Sequence, residues 1–359
     1  MSIYKLVLGA VSIGLLLTQA LAQDIGKVKT LKGNAWIERG SARTVAAIGA
    51  TLQAKDRVVT DTHSAAGLAL RDNTLLTVGP QSILEMNRYA FDATSHAGEM
   101  DASVKRGSLS VISGKIAKAK PESVKFNTAT VTLGVRGTEF ILEAGEDTKY
   151  LGMWVDGAGK MIQSGTGSVI ASGSSATVLK PTSAVLLPAP DGKVGAIALT
   201  SMSTSQTHVL NSAYAAIDVQ SSGAMSTRQE DAASVQAKYG ELLQATPKRP
   251  ESFVIYFETN SSTQITSASL AAIQSLKTTA GAWPAVEINV IGHTDTVGSH
   301  EVNDKLGLDR ARTVAALLQA SGLTTMSIEA SSRGKRELLV STNDNVANEQ
   351  NRRVEINLR

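Results

Sequence analysis

Cysteine is absent from the 359 residues. Disulfides, thiolate metal sites, thiol nucleophiles and lipid attachment through a thiol are all excluded with it. Histidine is scarce: His63, His96, His208, His293 and His300 are the five, and no two form a His-x-x-x-His pair. No metal site or cofactor is implied by such a set. Neither a Gly-x-Ser-x-Gly elbow nor a His-Glu-x-x-His run occurs, so the familiar hydrolase signatures are missing too. Aromatic residues make up only 4% of the chain, too few for the girdles of a transmembrane barrel. An excess of one charge is also lacking. The 35 Lys and Arg face 32 Asp and Glu, a formal +3 that gives no electrostatic footprint for nucleic acid. From Lys248 onward there are 12 basic and 12 acidic side chains, so an anion bound there must be gripped locally.

One long apolar run is present, Leu6–Leu17, preceded by Lys5 and followed by Ala20-Leu21-Ala22. The pattern reads as a secretory signal peptide over residues 1–22, cleaved before Gln23. The run is shorter than the ~20 residues a membrane-spanning helix needs, and no later stretch qualifies. The expectation is an exported chain with no transmembrane segment after cleavage.

Residues 24–143 are short apolar runs broken by Gly, Asn, Asp and Ser, such as Ala65–Leu70, Thr74–Val78, Ser108–Ile112 and Val124–Leu133. Such spacing predicts an all-β unit, a sandwich or solenoid. Residues 144–216 continue in β-like runs, as an extension or a small separate unit. Residues 217–249 read as a Ser/Ala/Gln-rich linker with a short helix inside Arg228–Leu243. From residue 250 the pattern alternates. Strands are expected at Phe253–Phe257, Val286–Ile291, Met326–Ala330 and Val354–Leu358. A helix over Ser267–Thr278 carries Leu270, Ile273 and Leu276 on one face. A longer helix, capped by Ser299, runs to about Ala320 with Val302, Leu306, Val314 and Leu317 inward. That order predicts an α/β sandwich, helices on one sheet.

Within the long helix, Asn303, Leu306 and Arg310 fall at i, i+3 and i+7 and share a face. Asp295 stands in the loop just before it, where backbone N–H groups lack helical partners. An acid and a guanidinium held at opposite ends of a small polar site suit a zwitterion, one carbon bearing ammonium and carboxylate. By residue type and spacing alone, a structural Asp295–Arg310 salt bridge is at least as good a reading.

Gly292-His293-Thr294-Asp295-Thr296-Val297-Gly298, Asn303, Leu306-Gly307-Leu308-Asp309-Arg310-Ala311 and Asn351-Arg352-Arg353-Val354-Glu355-Ile356 carry a resemblance to the OmpA-like peptidoglycan-binding domain. Tyr256-Phe257-Glu258-Thr259-Asn260 also fits its opening strand and loop. The resemblance implies binding to the diaminopimelate of the cell-wall stem peptide. Asp295 would take the ammonium and Arg310 the carboxylate, with supporting contacts from Asn260, Thr294, Asn303 and Arg352. Gly307 departs from the serine usual there. The N-terminal unit, over about residues 27–143, resembles a FecR-type domain through Gly79-Pro80, Arg106-Gly107-Ser108-Leu109 and above all Thr132-Leu133-Gly134-Val135-Arg136-Gly137-Thr138-Glu139-Phe140. Gly134 and Gly137 point to a sharp turn around Val135-Arg136, with Arg136 buried against turn carbonyls or, less favoured, binding a ligand.

Together these readings give an all-β FecR-like unit followed by an OmpA-like α/β sandwich. The expected protein is a non-enzymatic envelope adaptor, in the periplasm or on the periplasmic face of the outer membrane. It would hold peptidoglycan while its β unit meets an unknown partner or ligand. A wall-anchored small-ligand sensor is the alternative, and a peptidoglycan hydrolase a more distant one.

Overall fold

A computed structural model describes residues 23–145, 153–155, 161–163, 180–257, 263–323, 325 and 327–359. The signal-peptide reading falls on residues outside that set. In chain order the strands and helices begin β1 (Asp24–Lys32), β2 (Ala35–Arg39), β3 (Ala42–Val45), β4 (Thr51–Gln53), β5 (Arg57–Thr60), β6 (Ala65–Leu70), β7 (Leu75–Val78), β8 (Ile83–Phe91), β9 (Gly98–Arg106), β10 (Ser108–Ile112) and α1 (Lys115–Ala119). They continue β11 (Val124–Asn127), β12 (Val131–Arg136), β13 (Glu139–Glu143), β14 (Met153–Val155), β15 (Met161–Gln163), β16 (Thr182–Leu187), β17 (Ala196–Ser201), β18 (Thr207–Leu210), β19 (Ala215–Val219), β20 (Met225–Gln229) and α2 (Ala232–Gln244). The remainder are β21 (Glu251–Tyr256), α3 (Ser267–Gly281), β22 (Glu287–His293), α4 (His300–Ala320), β23 (Ser327–Gly334) and β24 (Arg353–Leu358).

Two nine-stranded sheets form the N-terminal unit, in the orders β20-β19-β16-β13-β10-β7-β6-β1-β4 and β18-β17-β12-β11-β9-β8-β5-β2-β3. Their inner faces share one core that includes Val28, Ile37, Met86, Phe126, Phe140 and Leu199. The architecture is thus a sandwich through which the chain winds. Phe126 and Phe140 meet edge-on across it, ring centroids 5.4 Å apart, the geometry that aromatic quadrupoles favour.

The first sheet is covered on its outer face as well. Asp231 caps α2 by accepting from the Ser234 N–H at 2.7 Å. The helix then buries Val235, Tyr239 and Leu242 against Ile141, Val185 and Ala216 of β13, β16 and β19. Strands enclosed on both sides need apolar residues at every position, which masks the two-residue alternation of a half-exposed strand. Thr182–Leu187, buried or nearly so throughout, is an example. Residues 144–216, whose affiliation the sequence left open, supply β16 to the first sheet and β17 and β18 to the second. Residues 217–249, expected as a linker, contribute the end of β19, β20 and α2.

The C-terminal unit is a four-stranded sheet, β21-β24-β22-β23, parallel only between β22 and β23. Both helices cover one face, closing a core of Leu276, Ile288, Val290, Val314, Ile356 and Leu358 among others. Ser299 caps α4 by accepting from the Val302 N–H at 3.3 Å, and Gly322, at φ +73°, ends it in the left-handed conformation glycine tolerates best. The inward side of α4 differs from expectation. Asn303, Gly307, Arg310, Ala311, Val314 and Leu318 are buried, whereas Val302 and Leu317 are exposed. On α3, Leu270 is likewise exposed and Leu276 buried. At position 307 the inward side of α4 has no side chain, because helix and sheet approach closely there. A Cβ on Gly292 would run into the Gly307 carbonyl, and one on Gly307 into the Ser332 hydroxyl. This close approach accounts for glycine at 307.

The other sheet face is polar and packs on the N-terminal unit. Glu287 pairs with Lys29 at 2.8 Å and Lys27 at 3.1 Å, both from β1. Lys29 also donates to the carbonyls of Ala285 at 2.7 Å and Arg359 at 3.1 Å. Arg359 in turn donates to the Arg71 carbonyl at 2.8 Å.

Candidate functional site

The loop after β22 begins with residues held from inside. His293 is fully buried, its Nδ1 lying 3.2 Å from the Glu337 carbonyl. Thr294 is 1% exposed. Its hydroxyl donates to the Asp295 carbonyl at 2.9 Å, and its N–H to Gly334 at 2.9 Å. Thr296 accepts from the Val346 N–H at 2.9 Å and donates to Asn343 at 2.7 Å, tying the loop to the stretch before β24. Asn303, from the first turn of α4, donates to the carbonyls of Val297 at 2.9 Å and Ser299 at 3.0 Å. Thr294 and Asn303, expected as supporting ligand contacts, are thus placed where they shape the loop. Asn260 lies outside the described residues.

Asp295 is 8% exposed. Its Oδ2 accepts from Arg352 Nη1 at 2.9 Å and from the Asn348 N–H at 3.3 Å, and its Oδ1 from the Val297 N–H at 3.3 Å. The acid therefore pairs with Arg352, and the structural Asp295–Arg310 salt bridge weighed from sequence is not what forms. Arg310, 7% exposed, stands with its guanidinium carbon 5.7 Å from the centre of the Phe257 ring. Its Nε and Nη1 are buried without a hydrogen-bond partner. Burial pulls its pKa below the usual guanidinium range, with Arg352 adding to the effect and Asp295 opposing it. Arginine keeps its proton regardless, so these are cationic donors out of water with unmet bonding capacity, a costly state in isolation. Sequence reading had no signal for the Asp295–Arg352 pair, because the two stand 57 positions apart.

Two further ion pairs frame the rim. Arg336 Nη2 donates to Asp304 at 2.6 Å, and Lys335 Nζ to Asp344 at 2.6 Å and the Gly298 carbonyl at 2.9 Å. Arg353 is buried and pairs with Glu355 at 2.7 Å.

Residues 256–352 match the OmpA family, and residues 56–153 match the family described as FecR protein. An OmpA-family domain follows a FecR-type one. The second match begins and ends later than the 27–143 span read from motifs. Over 72 residues the chain is 40% identical to the peptidoglycan-associated lipoprotein of Legionella pneumophila, covering 20% of this chain and 41% of that protein. Over 76 residues it is 37% identical to the probable lipoprotein YiaD of Escherichia coli, covering 21% of this chain and 35% of that protein. The chain thus spans between a third and two-fifths of the length of these curated relatives. A crystal structure of the peptidoglycan-associated lipoprotein from Burkholderia pseudomallei is 28% identical, covers 30% of this chain and 90% of its own, and gives a TM-score of 0.27.

Within the FecR-type domain the most specific motif is arranged differently from expectation. Gly134, Val135 and Arg136 belong to strand β12, and the turn comes at Gly137, φ +53°. Arg136 is exposed, so the buried, carbonyl-satisfying arginine is not what forms. No helix among the described residues is long and apolar enough to cross a membrane.

Proposed function

We propose that the protein is a non-enzymatic cell-envelope adaptor that holds peptidoglycan through the diaminopimelate of its stem peptide. One observation carries the reading: Arg310, on α4, is nine-tenths buried and offers two unpartnered guanidinium N–H groups. A ligand carboxylate is the natural acceptor, because arginine's fork matches its two oxygens. Asp295, fixed in place by Arg352, takes the ligand ammonium on the same small rim. Phe257 lies against the Arg310 guanidinium and shields the pair from water. Thr294 and Asn303 act indirectly by fixing the loop.

The names of the two curated relatives support the envelope setting, and the OmpA match supports the wall as partner. The leader over residues 1–22 supports export to the periplasm or the periplasmic face of the outer membrane. The FecR-type domain meets a second partner, and exposed Arg136 is the residue we assign to that contact. The test is sedimentation with purified sacculi. Wild-type chain is expected to pellet with diaminopimelate-type wall and only weakly with lysine-type wall, which lacks the side-chain carboxylate. Equal pelleting with both would sink the assignment, and a clearing zone on a wall zymogram would replace the adaptor with a hydrolase.

A further inference from the structure

The seam between the two domains encloses a cavity of about 80 Å³. By the measure in which one water needs roughly 10–15 Å³, that is room for several waters or one oxyanion. It lies on the sheet face away from α4, since its lining residues Asn289 and Ile291 alternate along β22 with the helix-facing Ile288 and Val290. It is therefore separate from the Asp295–Arg310 site.

The lining is lopsided in charge. Arg71 and Lys115 enter from the FecR-type domain, Arg333 and Arg359 from the OmpA-like domain, and Glu329 is the one carboxylate among them. Glu329 is itself half-exposed and stands 3.9 Å from Arg71. Two nearby acids reach only part of this set: Glu287, held by Lys27 and Lys29, also lies 3.6 Å from Arg359, and Glu337, beside His96, lies 3.5 Å from the Arg333 Nε. Arg333 is 2% exposed, and its Nη1 is buried with no hydrogen-bond partner; Arg359, 7% exposed, has its Nε in the same condition. Lys115 forms no ion pair among the described residues, and burial together with Arg333 holds its pKa below the usual range. Among the described residues, each of the three arginines has a single carboxylate contact, at 3.5–3.9 Å, but Lys115 has none and two buried guanidinium N–H groups stay unmet, a state that costs free energy unless an anion joins them.

We propose that this seam binds a small tetrahedral oxyanion of the phosphate and sulfate class. The ion accepts from the Arg333 and Arg359 guanidinium groups on one side and from Lys115 on the other, and so ties the two domains together. An ion with acceptor oxygens on every side suits cations supplied by both domains better than a planar carboxylate does.

The probe is inorganic phosphate added to the full chain, with chloride at matched ionic strength as the control. Phosphate is expected to raise the melting temperature saturably and to titrate calorimetrically at one site. Lys115→Gln and Arg333→Gln are each expected to weaken phosphate roughly tenfold to a hundredfold, the range for a lost hydrogen bond to a charged group. Lys115 is less deeply buried than Arg333, so that variant keeps the test valid if Arg333→Gln fails to fold. A melting shift that chloride reproduces, or unchanged phosphate affinity in Lys115→Gln, would overturn the proposal. Equal affinity for glycerol 3-phosphate, whose glycerol arm the cavity cannot enclose, would overturn the assignment to a free inorganic ion.

Discussion

Glu287, on the inner strand β22, and Arg310, on the helix α4 that covers the same sheet, are both buried ionic side chains, yet their surroundings differ in kind. Glu287 is met by Lys27 and Lys29 across the domain seam, with Arg359 at 3.6 Å. Burial pushes its carboxyl up, but Arg359 and Lys29 more than offset that, and it titrates below the usual carboxylate range. Arg310 has no ion pair among the described residues and keeps two N–H groups unmet. Burial of charge therefore does not mark a binding site. A buried charge whose partners come from the chain holds domains together, and one whose bonding capacity is left open is the candidate to hold a ligand.

The strongest way to break that comparison is to open the seam. Glu287→Ala leaves Lys29, 5% exposed, without its carboxylate. Removing one partner of a buried pair costs about 3–5 kcal/mol. Denaturant unfolding of the full chain should show that loss, and a change below about 1 kcal/mol would mean the pair does little to hold the domains. Next in size is Gly292→Ala, which forces a methyl group against the Gly307 carbonyl. Overpacking of this kind costs about 1–3 kcal/mol. An unchanged melting curve would show that α4 can lift off the sheet freely.

Those two variants also mark where sequence reading stopped. The C-terminal helix and strand order, the Ser299 cap and the Asp295 loop were legible because caps and hydrophobic periods are local. The inward side of α4 was not, since Val302 and Leu317 follow the apolar pattern while the close approach at Gly292 demands small residues. Nor was the Asp295–Arg352 pair, the Glu287 seam or the membership of residues 217–249 in the sandwich. Each depends on partners far apart in the chain. In the FecR-type motif, Gly134 and Gly137 suggested a turn, but only Gly137 needs the left-handed conformation.

The seam should also respond to acid, more gently than to mutation. His96 is pulled down to about 4, first by burial and then by Lys115 and Arg333, with Asp92 and Glu355 opposing. Its Nε2 contacts Arg333 Nη2, and a guanidinium can only donate, so the ring is neutral with its proton on Nδ1, 3.2 Å from Glu337. His293 is likewise lowered to about 4 by burial, despite Glu355 and Glu337 and with Arg353 adding to the effect. Unfolding frees both rings to titrate near 6.5. Their contribution is therefore fully present above about pH 6.5 and is lost as pH falls from there toward 4. Melting temperatures should decline through that window, and His96→Gln should flatten the decline. A flat wild-type profile between pH 6.5 and 4.5 would contradict the neutral-ring assignment.

The most direct test of the account is calorimetric titration of the full chain with a soluble stem peptide containing meso-diaminopimelate. Truncating one side of a desolvated charge pair costs about 2–5 kcal/mol. At the lower end, suited to a rim site, Arg310→Ala and Asp295→Ala should each weaken binding roughly 30-fold, with wild-type melting curves. Arg310→Lys should fail to restore affinity, because an ammonium lacks the two-pronged grip. Wild-type affinity in the folded Arg310→Ala protein would show that the unmet guanidinium is not the ligand's partner.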